Sequence, residues 1–181
     1  MARVRLKNLG DTQRFGRLLG ELLPASGVRA LLLRGGLGSG KTTLTAALVR
    51  ALPGGDEAEV SSPSFTLCNI YPTAPALVHC DLYRSPGHAP EELTDALDAG
   101  DALAVVEWAD SLDARLLPED FLDISFKMED DARLLLLKGA GPRGEALAAA
   151  LTRAWPEGAP GTGHGGARPQ APAGGGMPRN G

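Results

Sequence analysis

The sequence predicts an α/β fold: a mixed, mainly parallel sheet with helices on both faces. Short apolar runs typical of strands alternate along the chain with amphipathic helical patterns. Strands that are joined by long helical crossovers pair in parallel and need cover on both sides of the sheet. With 181 residues, 43% of them hydrophobic, the chain is long enough for one domain with a sizeable core.

The first half of the chain shows two strands and two helices. "RVRL" is a short strand candidate, and "VRALLLRG" is typical of a buried strand. Between them lies a helix for which Asp11 is the candidate cap. Its inward positions are Phe15, Leu18, Leu19 and Leu22. A second helix is predicted from Thr42 to Leu52.

The second half predicts two more buried strands and a terminal hairpin. "ALVHCD" and "ALAVVEW" are apolar runs that lead into a carboxylate, and a short helix from Pro90 to Leu97 lies between them. "FLDISFK" and "RLLLLKG" form a hairpin around "MEDDA", and "GEALAAALTRAW" is a last helix. The composition then changes to Gly, Pro and Ala with little to bury. We therefore predict a folded domain over 1–155 and a disordered tail over 156–181.

Charge and cysteine usage narrow the class of protein. A formal net charge of -4 argues against a basic nucleic-acid-binding face, so any link to RNA is expected to be indirect. Cys68 and Cys80 form neither a CxxC pair nor a disulfide framework, which predicts buried free thiols in a reducing compartment. The N-terminus lacks the apolar core of a signal peptide, and no run approaches the roughly 20 apolar residues of a membrane span. A soluble cytoplasmic protein without membrane contact is expected.

A phosphate-binding motif stands between the second strand and the second helix. Gly35, Gly40, Lys41 and Thr42 match G-x-x-x-x-G-K-[ST] in the strand-to-helix context that the motif requires. Such a loop turns backbone amides and a helix N-terminus toward an anion, while the lysine reaches the β- and γ-phosphates and the threonine hydroxyl binds Mg²⁺. The fold is therefore predicted to be P-loop NTPase-like. The nucleotide-contacting candidates are Gly36, Leu37, Gly38, Ser39, Gly40, Lys41, Thr42 and Thr43.

ATP is the predicted nucleotide. A guanine-specific protein of this kind usually carries an Asn-Lys-x-Asp segment, and Lys127, in "FKMED", does not fit one.

Two carboxylates compete for the metal. Asp81 follows "ALVHC" and Glu107 follows "ALAVV", so each meets the expectation of an acidic group at the end of a neighbouring strand. Periodicity does not choose between them. With both present, one can serve the metal while the other orients the attacking water.

The segment "SSPSFTL" is a candidate switch loop. Pro63 fixes the chain after two serines whose hydroxyls can meet phosphate or water, and Phe65 and Leu67 are expected to anchor the loop by burial. A γ-phosphate can order such a loop and hydrolysis can release it.

Taken together, "GGLGSGKTTL", "SSPSFTL", "HCDLYR" and "VVEWAD" resemble the TsaE (YjeE) family from about Leu31 to Trp108. The resemblance implies an ATPase of bacterial tRNA threonylcarbamoyladenosine synthesis that works with the TsaB and TsaD proteins, and that meets tRNA only through that complex. It places Ser62 to Thr66 on a switch-like loop, and Glu107 and Trp108 on the metal-side motif. The sequence departs from the family pattern at Gly36, Ser64 and Ala109.

The resemblance and the cleaner strand before Glu107 lead to one assignment of roles. Glu107 and Thr42 are predicted to hold Mg²⁺, Asp81 to position or activate water, and Lys41 to assist catalysis, with Trp108 near the nucleotide. The predicted function is ATP hydrolysis that drives or resets the tRNA-modifying complex. A P-loop kinase for a small acceptor and a non-catalytic, ATP-gated assembly module are the alternatives; no arginine-rich lid segment supports the kinase.

Overall fold

The structure, a computed structural model, describes residues 1–155, and the predicted tail over 156–181 lies outside the described residues. Within that range the elements are β1 (Ala2–Leu6), α1 (Leu9–Ser26), β2 (Ala30–Arg34), α2 (Lys41–Ala51), β3 (Cys68–Tyr71), β4 (Leu77–Asp81), α3 (Glu91–Ala99), β5 (Leu103–Glu107), β6 (Phe121–Glu129), β7 (Ala132–Ala140) and α4 (Gly141–Ala154). Two short 3-10 turns, Ala109–Ser111 and Ala114–Leu116, link β5 to β6. None of the helices in the described range is long and apolar enough to cross a membrane.

All the strands belong to one seven-stranded sheet in the order β1-β7-β6-β2-β5-β4-β3. Its centre is parallel, because β2 pairs in parallel with both β5 and β6, and β5 pairs in parallel with β4. Antiparallel pairs complete both sides: β6 with β7, β7 with β1, and β4 with β3. The predicted mixed sheet with a parallel core is confirmed.

Helices cover both faces of this sheet, as predicted. Leu31 and Leu33 of β2 join the larger core cluster, which also takes in residues of α1, α2 and α4. Leu32, between them, joins the smaller cluster on the opposite face, where α3 packs on β4 and β5. Helix α2 therefore lies on the face of the sheet that carries the larger core cluster.

A close seam joins α1 to α2. A Cβ on Gly16 would fall 2.6 Å from Cβ of Ala47, and one on Gly20 would fall 2.6 Å from Cβ of Ala51. Glycine is therefore needed at both positions for the helices to approach this closely.

The predicted cap of α1 is wrong. Asn8 is the N-cap, and its Oδ1 accepts a hydrogen bond from the Asp11 amide at 2.9 Å. Asp11 lies in the first turn instead, where its Oδ2 accepts from the Lys7 amide at 2.9 Å. This arrangement resembles a capping box, except that the acidic side chain accepts from the amide of the residue before the N-cap.

The expectation of two free thiols is also wrong, because Cys68 and Cys80 form a disulfide. The strand β3 was not predicted, since it is only four residues long and lies at the sheet edge. Its antiparallel register sets Cys68 directly opposite Cys80, with Cα atoms 4.2 Å apart. Residues in different apolar runs are thereby brought together, and the argument for a reducing compartment loses its support.

Candidate nucleotide site

The phosphate loop connects β2 to α2 through three glycines with positive φ. Gly35, Gly38 and Gly40 have φ values of 144°, 70° and 106°, a region that side chains disfavour. The first helical hydrogen bond runs from the Leu44 amide to the Gly40 carbonyl at 2.9 Å. The amides of residues 41–43 therefore have no acceptor within the helix and open toward the loop. This arrangement forms an anion cradle at a helix N-terminus.

Lys41 lies across this cradle and is only 4% exposed. Its Nζ donates to the carbonyls of Gly35 at 2.8 Å and Gly36 at 2.9 Å, and lies 4.3 Å from the ring centre of Trp108. Burial lowers the pKa of the Lys41 ammonium below its ordinary value, and nearby carboxylates, chiefly that of Glu107, oppose the shift. The loop thus holds a buried positive charge close to where phosphate would lie.

The two predicted carboxylates meet at the C-terminal ends of adjacent parallel strands. Asp81 ends β4 and Glu107 ends β5, and the two residues are direct partners in the register. The two residues are 3% and 2% exposed. Since strands in a sheet lie about 4.8 Å apart, both groups belong to one site beside the N-terminus of α2.

Glu107 uses its two oxygens for different partners. Oε2 accepts a hydrogen bond from Oγ1 of Thr42 at 3.1 Å, and Oε1 lies 2.9 Å from Nε2 of His79. The two residues predicted to hold the metal are therefore in contact.

The oxygens of Thr42 and Glu107 suit Mg²⁺, which is usually bound by one or two protein oxygens together with substrate phosphates. The described residues contain no cluster of three or more His, Cys, Asp or Glu side chains that could hold a metal alone.

Asp81 is tied to the predicted switch loop. Its Oδ2 accepts from the hydroxyls of Ser62 at 2.8 Å and Ser64 at 3.2 Å, while Oδ1 accepts from the Tyr83 amide at 2.9 Å. The Asp81 amide in turn donates to the Leu67 carbonyl at 2.9 Å. Both ends of this loop therefore converge on Asp81.

The expectation that Phe65 anchors this loop by burial is wrong. Phe65 is 85% exposed, and the Arg84 guanidinium lies 4.7 Å from its ring centre. Leu67 is half-buried and has a positive φ of 65°, so the chain does not continue there as an alternating strand. Hydrogen bonds to Asp81 and the buried Pro63, rather than Phe65, hold the loop in place.

The residues of the predicted site lie around one pocket. All of the predicted catalytic, nucleotide-contacting and metal residues line it except Gly36. Ser62, Ser64 and Tyr83 also contribute, and the Tyr83 ring lies 4.7 Å from that of Trp108.

Sequence reasoning missed two arginines that support the phosphate loop. Arg34, the last residue of β2, donates to Asp123 at 2.6 Å and Asp110 at 2.8 Å, which ties the start of the loop to the segment after β5. Arg133 of β7 donates from Nε to the Ser39 carbonyl at 3.1 Å. Arg34 could have been suspected from its place directly before the motif. Arg133 gives no local signal, because it lies 94 residues from Ser39.

Comparison with known proteins identifies the family. The model of the threonylcarbamoyl adenosine biosynthesis protein TsaE matches residues 6–135. A TsaE protein of Aquifex aeolicus is 40% identical over 106 residues, which span 58% of this chain and 74% of the relative. One from Streptomyces coelicolor is 35% identical over 138 residues, 71% of this chain and 90% of the relative. The crystal structure of Bacillus subtilis YdiB superposes with a TM-score of 0.60 at 28% identity, over 84% of this chain and 94% of that one. The chain therefore belongs to the TsaE family, which takes part in tRNA threonylcarbamoyladenosine biosynthesis.

Proposed function

We propose that this protein is a Mg²⁺-dependent ATPase that resets a tRNA-modifying complex containing TsaB and TsaD. We place it in the cytoplasm because its family acts in tRNA modification, and not because of its cysteines, which are paired. The observation that carries the proposal is the contact of Thr42 with Glu107 next to the phosphate loop. Beside this contact lies Asp81, which is hydrogen-bonded to the switch loop. A site that bound nucleotide without hydrolysing it would need only the anion cradle and Lys41. The second carboxylate, which accepts hydrogen bonds from two serines of the switch loop, adds the means to sense or cleave the γ-phosphate.

In this proposal the protein groups divide the work. Lys41 exchanges its two loop carbonyls for β- and γ-phosphate oxygens, and the amides of residues 41–43 donate to the β-phosphate. Thr42 and Glu107 would hold Mg²⁺, which supplies charge neutralisation across the phosphates. Trp108 packs against the Lys41 ammonium and excludes water from one side of it.

Asp81 becomes available when the switch loop moves. Its Oδ2 is occupied by the hydroxyls of Ser62 and Ser64. When a γ-phosphate draws these hydroxyls away, Oδ2 is free to accept a hydrogen bond from the attacking water. Hydrolysis is thereby coupled to a change in the loop surface, which is where a partner could detect the nucleotide state.

The test separates the two carboxylates in the full chain. Glu107→Ala should lose about tenfold or more of the Mg²⁺-dependent gain in ADP affinity, because a charge-assisted contact is worth roughly 1.5–3 kcal/mol. Asp81→Ala should keep most of that affinity and lose turnover by about 10²–10⁴-fold, as expected for a group that acts on the attacking water. Asp95→Ala, which removes an exposed carboxylate on α3, is the matched control and should change neither. Calorimetry measures the affinities, and phosphate release measures turnover with and without TsaB, TsaD and tRNA.

Two results would contradict the proposal. If Asp81→Ala loses the Mg²⁺ effect and Glu107→Ala keeps it, the two roles are reversed. If the complex modifies tRNA through many rounds with Asp81→Ala while ATP is not hydrolysed, the reset mechanism is wrong and nucleotide binding alone gates assembly.

A further inference from the structure

A buried histidine lies behind the metal-side carboxylate. His79 is 0% exposed and stands on β4 two residues before Asp81, so strand alternation turns both side chains to the α2 face. His79 does not line the nucleotide pocket. Its contact with the site is the 2.9 Å approach of Nε2 to Oε1 of Glu107.

This contact fixes the orientation of the Glu107 carboxylate. With Oε1 held by His79 and Oε2 accepting from Thr42, the two oxygens have different partners on opposite sides of the group. Without the partner at Oε1, the carboxylate would be free to rotate about its terminal bond, a torsion that has a broad, soft potential. Oε2 would then no longer be directed toward Thr42.

The unpartnered ring nitrogen indicates which atom carries the hydrogen. Nδ1 of His79 is buried and has no hydrogen-bond partner among the described residues. A buried N–H without an acceptor forfeits a strong hydrogen bond, whereas the bare ring nitrogen loses only an acceptor role. Glu107 as a carboxylate can only accept. The arrangement therefore favours the tautomer with hydrogen on Nε2, which donates to Oε1.

We propose that His79 is a positioning residue that holds Glu107 Oε2 toward Thr42 for Mg²⁺, without touching nucleotide or metal itself. The proposal rests on the metal role of Glu107 in the proposed function. Hydrogen bonds to metal-binding carboxylates from groups behind them typically change metal affinity by about 10–100-fold.

The test compares variants that keep or displace the donor. His79→Gln keeps an N–H at about the reach of Nε2, His79→Asn moves it back to about the level of Nδ1, and His79→Phe removes it. Tyr71→Phe is the control, because the Tyr71 ring stacks on His79 while its buried hydroxyl has no partner among the described residues. Calorimetry with ADP, in EDTA and in MgCl₂, gives the Mg²⁺-dependent gain in affinity, and thermal unfolding is measured beside it.

We expect His79→Asn and His79→Phe to lose about tenfold or more of the Mg²⁺-dependent gain while ADP affinity in EDTA stays within about twofold. His79→Gln and Tyr71→Phe should retain the gain. A merely structural role predicts instead that both affinities and the melting temperature fall together, with their ratio unchanged, and this pattern overturns the proposal. If the wild-type protein shows no Mg²⁺-dependent gain, it is the proposed metal role of Glu107 that fails.

A second measurement uses the unaltered protein, in case a variant does not fold. The chain has three histidines, and the ¹⁵N shifts of His79 distinguish its tautomers. Hydrogen on Nε2 with a bare Nδ1 is the expected result. Hydrogen on Nδ1 with a bare Nε2 would overturn the proposal, since Nε2 could not then donate to Glu107.

Discussion

Lys41 has hydrogen-bond partners within its own loop. Its ammonium is bonded to two carbonyls of its own loop and packed against Trp108. Phosphate binding must therefore replace two good hydrogen bonds rather than fill an unmet need. The gain on binding comes from exchanging neutral carbonyl partners for anionic phosphate oxygens, which make stronger, charge-assisted bonds.

We predict that Lys41→Ala lowers ADP and ATP affinity tenfold or more, because a charge-assisted contact of roughly 1.5–3 kcal/mol is lost. Lys41→Met, which keeps the side-chain length and the packing on Trp108, should lose the same amount. Lys138→Ala, at an exposed lysine on β7, is the control. Unchanged affinity of either Lys41 variant in calorimetry would refute the cradle assignment.

At the residue scale, sequence reasoning predicted those site residues whose role follows from local spacing. The loop motif and the strand-end positions of Asp81 and Glu107 are local patterns, and these residues do line one pocket. Arg133 could not be found, since its contact with Ser39 depends on how the hairpin docks. The exposure of Phe65 was missed for a related reason: hydrogen bonds from Ser62 and Ser64 to Asp81, not apolar alternation, decide the path of that loop.

At the scale of elements, the seam between α1 and α2 controls where the phosphate loop ends. Gly16 and Gly20 let α1 approach α2 so closely that an added Cβ would meet Ala47 and Ala51. The N-terminus of α2 forms the anion cradle, so its position depends on this packing. The helices themselves were predictable from apolar periodicity, whereas this close approach was not, because a glycine inside a helix gives no sign of what faces it.

We predict that Gly16→Ala lowers the free energy of unfolding by about 1–3 kcal/mol, the usual cost of overpacking, although alanine is the better helix former. The added Cβ would also stand 2.8 Å from the Leu44 carbonyl, which cannot move without moving α2. Gln13→Ala, at an exposed position of α1, should be close to neutral. Urea unfolding is the measurement. A gain in stability for Gly16→Ala would contradict the claim that α1 and α2 pack too closely at this position to admit a Cβ.

At the scale of the whole molecule, Trp155 belongs to the larger core cluster of the described residues. Trp155 is 8% exposed and packs edge-on against Phe15 at 5.5 Å, while the Arg14 guanidinium lies 4.5 Å from its ring centre. The last described residue therefore joins α4 to α1. The alternation of strands and helices predicted the mixed, mainly parallel sheet with helices on both faces. It did not predict β3, and it did not give the order of the strands in the sheet.

We predict that a chain ending at Trp155 keeps its melting temperature within about 2 °C, which corresponds to less than about 1 kcal/mol for a domain of this size. ATP hydrolysis should also be retained. As a control, Trp155→Ala in the shortened chain should lose about 3–5 kcal/mol, as expected for a large buried aromatic side chain. A clear drop in melting temperature on shortening alone would show that residues 156–181 contribute to the fold.

The pairing of β1 with β7 sets the order in which the protein can mature on the ribosome. Val4 pairs with Leu135 and Leu6 with Arg133, so β1 meets its partner only after every element from α1 to β6 has been synthesised. At about 5–20 residues per second, the wait is on the order of ten seconds, during which the apolar side of β1 is unprotected. Arg133 arrives with the same strand and completes the support of Ser39. A nascent chain thus carries its phosphate-binding motif long before it has a finished phosphate-binding site.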